Sequence, residues 1–119
     1  MEFKKRPFKR HVRLNKEIKI ILSDFILKGL DSPECGIVTI SKVNVSRDLS
    51  HAKVYYTAIN NLSSKEEISN ILNKKSKFLK GIIGKQITSK HIPNITFYFD
   101  DSIEMYEKID KMFLKINDR

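Results

Sequence analysis

The sequence predicts an α+β domain in which helices form a layer on a small sheet. Three observations carry this. Apolar residues recur at helical steps between about residues 9 and 28, the period changes to two from Gly36 to Ala58, and helical spacing returns afterwards except at the hexapeptide NITFYF before Asp100. A chain of 119 residues supports one core and is too short for two ordinary domains. Residues 1–119 are therefore read as a single domain, with flexible ends at 1–7 and 117–119.

The first helix rests on Leu14, Ile18, Ile21, Leu22, Phe25 and Ile26, with Gly29 placed to end it and the turn formers of DSPECG marking a loop. In the next segment Val38 and Ile40 share one parity and Val43 and Val45 the other. A regular strand would send half of these valines to the wrong face, so a bulge near Ser41 and Lys42 is expected to restore a common inward side. SRDLSH connects to a second strand, antiparallel to the first, in which Ala52, Val54, Tyr56 and Ala58 alternate with Lys53, Tyr55 and Thr57. Ser63 with Glu66, or Ser64 with Glu67, fits a capping box that opens a helical series of Ile68, Ile71, Leu72, Phe78, Leu79, Ile82, Ile83 and Ile87. NITFYF, just after Pro93, reads as a third strand. Asp101 or Ser102 caps a last helix in the same layer, with Ile103, Tyr106, Ile109, Phe113 and Ile116 on its apolar face. Internal repeats and low-complexity linkers are absent from the sequence.

Lys and Arg outnumber Asp and Glu by 23 to 14, and the excess is uneven. Residues 1–19 carry eight positive and two negative side chains, residues 73–93 carry six lysines and no acid, and the last twenty residues carry six acids against four bases. Two concentrated basic segments point to a polyanionic partner. No apolar run approaches the roughly 18–20 residues that span a bilayer. The basic opening MEFKKRPFKR is not followed by the apolar stretch of an export signal. Cys35 has no second cysteine to pair with, and the scattered histidines do not give zinc-ligand spacing, so a reducing, cytoplasmic compartment is the default.

The stretch NKKSKFLKGIIGKQITSKHIP, residues 73–93, joins charge to an apolar stripe. On a straight helix from Ile68, Lys75 would fall near about 340°, inside an apolar arc running from about 280° through zero to about 60°. Burying an unpaired ammonium is costly, so a kink is expected around Lys74 to Lys77, joining two shorter helices. Gly81 and Gly84 fall on the outer side with Lys77 and Lys80, where a bulky surface would meet bare backbone. GIIG also spells the GxxG of the K-homology phosphate loop, but its two isoleucines belong to the core side of a helix, which makes the match a decoy.

In the strand connection Asp48 is expected to order the turn by bonding backbone amides, with Arg47 either paired to it or contacting RNA. His51 beside Asp48 lacks the nucleophile or metal cluster that catalysis requires and reads as a surface imidazole. Cys35 reads as a small packed side chain. Tyr55 and Tyr56 point to opposite faces of their strand, so at most one is free to stack on a base, and Tyr56 is assigned to the core. The acids from Asp100 to Asp110 read as a solvated helix face.

GIVTISKVNVSRDLSHAKVYYT at 36–57, KFLKGIIGKQITSKHIPNITFYFDDSIE at 77–104 and IDKMF at 109–113 resemble the ribosome-binding factor A family of bacterial small-subunit assembly factors, over roughly residues 8–116. The resemblance implies a type II K-homology-like fold, α-β-β-α-kink-α-β with a C-terminal helix and a three-stranded sheet, in which a helix–kink–helix replaces the phosphate-clasping glycine loop. The family's kink usually carries Ala or Ser, any residue, then Gly; Lys75, Ser76 and Lys77 stand there in this chain. The resemblance further implies binding to the small (30S) ribosomal subunit through 16S rRNA near the neck and decoding region, assistance in late 5′-end maturation, greatest need in the cold, and no catalytic activity.

The expected RNA-binding set is Lys74, Lys75, Ser76, Lys77, Lys80, Lys85 and Lys90, with Arg6, Lys9, Arg10 and Arg13 and, from the strand connection, Arg47. The protein is expected to act as a monomer without a cofactor, a metal, a small-molecule substrate or a membrane. Two alternatives are an RNA-processing enzyme using His51, Asp48 or the Asp100–Asp101 pair, and a general module for single-stranded or structured RNA. A membrane-surface role is weaker, because the apolar helix faces are needed to cover the sheet.

Overall fold

A computed structural model describes residues 8–29 and 32–117. Helix α1 (Phe8–Gly29) leads into strands β1 (Ile37–Val45) and β2 (His51–Ile59). Helices α2 (Lys65–Lys74) and α3 (Ser76–Gln86) then connect to β3 (Asn94–Phe99), and α4 (Ser102–Asn117) closes the order. Asn117, expected in a flexible end, is still helical, and the other end residues lie outside the described ones.

The strands lie in the order β1-β2-β3, with β1 antiparallel to β2 and β3 parallel to it. A parallel neighbour requires a crossover, and α2 with α3 supplies it. The bulge falls where the valine parity demands it. Ile40 pairs with Tyr56 and Lys42 with Tyr55, leaving Ser41 as the extra residue. Its hydroxyl donates to Tyr55 O at 3.3 Å and to Asp100 Oδ2 at 2.6 Å, so the irregular point is tied to the end of β3. Gly36 enters β1 with φ of 67°, and a Cβ there would sit 2.2 Å from Ile59 O, so only glycine fits.

Ile40, Val43, Val45, Ala52, Val54, Tyr56, Ile95 and Phe97 all bury on one side of the sheet, against Ile18 and Leu22 of α1, Ile68 and Leu72 of α2, and Leu79 and Ile83 of α3. Each large apolar side chain so buried contributes about 1.5–3 kcal/mol. Tyr56 is fully buried, and its hydroxyl keeps two partners, Lys65 O at 2.9 Å and Ser69 Oγ at 2.6 Å. Helix α2 opens on the Ser64–Glu67 capping box. Two asparagines fasten helices to the outer strands. Asn15 accepts from Val45 N at 2.7 Å, and Asn73 accepts from Phe97 N at 2.7 Å while donating to Phe97 O at 3.3 Å.

The break comes at Lys75, between α2 and α3, with φ of −94° and ψ of 2°. Its amide still donates to Leu72 O at 3.0 Å and its carbonyl accepts from Leu79 N at 2.9 Å. This is the bridge region of backbone space, which any L-residue enters without the positive φ that favours glycine. The break therefore forms with Lys77 where the family usually has Gly. The buried residues keep one phase across it, and Phe78 lies at the edge of the predicted arc. Leu79 and Ile83 point inward, while Phe78, expected in the apolar stripe, is 61% exposed and meets Phe25 edge-to-face with centroids 5.8 Å apart.

Helix α4 corrects a second expectation. Met105, Tyr106, Ile109, Met112 and Phe113 are all more than half exposed, so it does not join the helical layer. The core face of the sheet is already occupied by α1, α2 and α3, and at its base α4 makes an exposed 3.6 Å Lys65–Glu104 pair. The side chains of Ile103 and Ile116 lie outside the described residues.

Asn73→Ala removes two bonds to one residue of an outer strand and leaves half-buried backbone groups without them. Urea denaturation is expected to show a loss of about 1–3 kcal/mol, with the helical circular-dichroism signal of the folded state kept.

Candidate nucleic-acid interface

The two basic segments, far apart in sequence, meet in space. Arg10 and Arg13, in the first turns of α1, line an open groove of about 490 Å³ together with Glu17, Leu49, Lys90 and His91, so that cations outnumber the one acid. A second groove of about 470 Å³ shares Leu49, Lys90 and His91 and adds Lys80, Asp48 and Ser50. The two run together as one concave track from α1 to the outer side of α3. Lys80 is half-buried and donates from Nζ to Asn94 Oδ1 at 2.9 Å, which holds its ammonium at the mouth of the second groove.

The floor of this track was not readable in the chain. Leu49 is buried and adopts φ of 64°, a left-handed conformation that costs a bulky residue about 1–3 kcal/mol and persists only where its surroundings hold it. The Asp48 carboxylate does the holding. It accepts from Ser46 Oγ and Ser50 Oγ, each at 2.7 Å, and from Ser50 N at 3.1 Å, and the Leu49 amide donates to Ser46 O at 3.0 Å. These bonds, the Ser46 hydroxyl first, draw the Asp48 pKa down to about 2. Asp48 thus orders the turn as expected, but largely through serine hydroxyls. Among the described residues no ion pair joins Arg47 to it, and Arg47 stands exposed on the turn. His51 bonds the Thr96 hydroxyl at 3.1 Å, and with Asp48 engaged by serines the two do not form an acid–base pair.

The remaining cations follow the helix break. Lys74, Lys75 and Lys77 are exposed around it, Lys85 is exposed in the last turn of α3, and Lys90 is exposed in the following loop. The ion pairs among the described residues, Lys28–Asp24 and Lys65–Glu104, involve none of them. Helix α2 is matched to its dipole, with Glu66 and Glu67 in its first turn and Lys74 in its last. Helix α3 is not. It starts at Lys75 without a side-chain cap and has no acid in its first turn. Lys75 also closes α2, and its amide donates to Leu72 O, so the negative end of α2 lies against the start of α3 and the positive field at the break comes from the ammonium groups.

Some expected contacts are placed differently. Ser76 Oγ is shielded from solvent and has no hydrogen-bond partner, so Ser76 serves the break from inside and does not offer its hydroxyl to a ligand. Arg6 lies outside the described residues, as does the side chain of Lys9, whose backbone belongs to α1. GIIG sits within α3 with Ile83 buried, which confirms that it is not a phosphate loop. A methyl group at Gly81 would meet nothing within 4 Å, and one at Gly84 would make ordinary contact with Ile92 at 3.6 Å.

The family pattern of ribosome-binding factor A matches residues 10–113. Ribosome-binding factor A of Natranaerobius thermophilus is 33% identical over 108 residues, covering 91% of this chain and 82% of that protein. The solution structure of a Thermotoga maritima protein described as a ribosome binding factor A superposes with a TM-score of 0.64 at 30% identity, over 79% of this chain and 90% of that one. A homology model of Thermus thermophilus ribosome binding factor A, as fitted into the cryo-EM map of a 30S complex, gives a TM-score of 0.64 at 21% identity over 75% of this chain and 93% of that one.

Two outcomes follow from the site's geometry. Because the Asp48 pKa is lowered from 3.8 to about 2, its stabilising effect is present above 3.8 and is lost as the pH falls through about 2; in Asp48→Asn, acid titration of stability is expected to be flatter across that interval. Gly81→Ala fills open space on a helix exterior and should stabilise the protein by about 1 kcal/mol, read as a rise of a few degrees in the thermal midpoint.

Proposed function

This chain belongs to the ribosome-binding factor A family, and we propose that it binds the small ribosomal subunit through 16S rRNA, as a monomer without catalytic activity, and assists maturation of the 5′ end. The observation that carries this is the convergence of Arg10, Arg13, Lys80 and Lys90 on one concave track, with Lys74, Lys75 and Lys77 also exposed around the helix break. Cations spread along a bent pair of helices meet phosphates at defined positions, so recognition rests on the shape of the folded RNA more than on base edges. The Thermus thermophilus relative fitted into a 30S complex supports the same destination. The groups that an RNA-cleaving reading needs serve other ends. Asp48 holds a turn, His51 bonds Thr96, and Asp100 accepts from Ser41.

Changing Lys77, Lys80 and Lys85 together to Glu should abolish co-sedimentation with small subunits while the protein stays folded by circular dichroism; a folded triple variant that still co-sediments would remove the site. With about six phosphates engaged, affinity should fall with salt at a log–log slope of roughly −4 to −5, and a shallow slope would contradict the geometry.

A further inference from the structure

The helices cover one face of the sheet and leave the other open. Across that open face, register places Lys42, Tyr55 and Tyr98 in one row and Asn44, Lys53 and Thr96 in the next. Tyr55 is half-buried and Tyr98 is 41% exposed, and their rings lie side by side with centroids 5.8 Å apart and planes tilted by 33°. Lys42 and Lys53 are exposed, and no ion pair engages either among the described residues. The carboxylate at its margin, Asp100, is bonded to the Ser41 hydroxyl at the bulge and lies within electrostatic reach of Lys42, without forming an ion pair with it. A solvated sheet face needs only polar side chains. This one sets two adjacent aromatic rings beside two cations, Lys42 at the end of their row and Lys53 in the next, a combination suited to unpaired nucleobases with their phosphates alongside.

We propose that this open face is a second RNA site, which takes bases of single-stranded RNA on Tyr55 and Tyr98 and their phosphates on Lys42 and Lys53. The proposal rests on the chain being an RNA-binding protein, but not on the cationic track being its site. The two surfaces lie on different sides of the sheet, so one molecule would hold a folded RNA element on its helical side and an unpaired strand on the other. The aromatic pair makes the open face selective for single strands, because paired bases do not expose their faces.

The test uses a labelled, unstructured RNA of about twelve nucleotides, within the span of a single-strand platform, read by anisotropy and by quenching of tyrosine fluorescence. It is run on the full chain and again with Lys77, Lys80 and Lys85 changed to Glu. Tyr98→Leu is expected to weaken binding about ten-fold, Tyr98→Phe to bind as the parent does, and the triple-Glu protein to keep its quenching. Tyr55→Leu should act in the same direction; if it unfolds, the more exposed Tyr98 carries the test. Tyr98→Leu binding as tightly as the parent, Tyr98→Phe losing as much as Leu, or duplex RNA of equal length competing as well on the triple-Glu protein would each overturn the open-face site. Complete loss of single-strand binding in the triple-Glu protein would also overturn it, by assigning the strand to the cationic track. Failure of the track itself is seen separately, as co-sedimentation of the triple-Glu protein with small subunits.

Discussion

An ammonium cannot be seated among Ile68, Leu72, Leu79 and Ile83, and much of the architecture follows from how the chain avoids placing Lys75 there. A straight helix would hold that lysine inside its apolar stripe. The chain breaks the helix at Lys75 instead, using backbone angles open to any residue, and each resulting arm brings its own buried pair to β3. The same event exposes the cations around the break and leaves the start of α3 without a cap or an acid. One constraint thus produces both the packing of the crossover and the positive surface that it presents.

The sheet is held from its two outer strands. Asn15 of α1 reaches Val45, and Asn73 of α2, two residues before the break, brackets the backbone of Phe97. Outer strands present unpaired backbone groups that attract other chains, and these side-chain amides both satisfy some of them and fix where the helices lie. With α1, α2 and α3 settled on one face, the loop at Leu49 and the loop at Lys90 and His91 are brought beside the first turns of α1. The basic track is therefore a product of the packing as much as of composition.

Helix α4 shows what an amphipathic pattern leaves open. Its apolar stripe is as regular as that of α1, yet Tyr106, Ile109 and Phe113 face solvent while Leu14, Ile18, Leu22 and Ile26 of α1 are buried. Periodicity states that a helix has an apolar side and is silent about which surface meets it. Phe78 makes the same point on a smaller scale, since it stands at the edge of the apolar arc and is left largely exposed against Phe25.

Local rules act over a few residues, and wherever they sufficed the chain could be read directly. The two valine parities required the bulge near Ser41, one of two possible capping boxes, Ser64 with Glu67, opened α2, the misplaced charge of Lys75 ended it, and the alternation through β2 separated Tyr55 from Tyr56. Clustered lysines announced a polyanionic partner for the same reason, because charge density is a property of composition. The parallel placement of β3, the left-handed Leu49 beneath the groove, the meeting of Arg10 and Arg13 with Lys90, and the pairing of Tyr55 with Tyr98 all join residues distant along the chain. They were decided only when the helices competed for one face of a three-stranded sheet, since no local preference encodes which surfaces remain once that face is full.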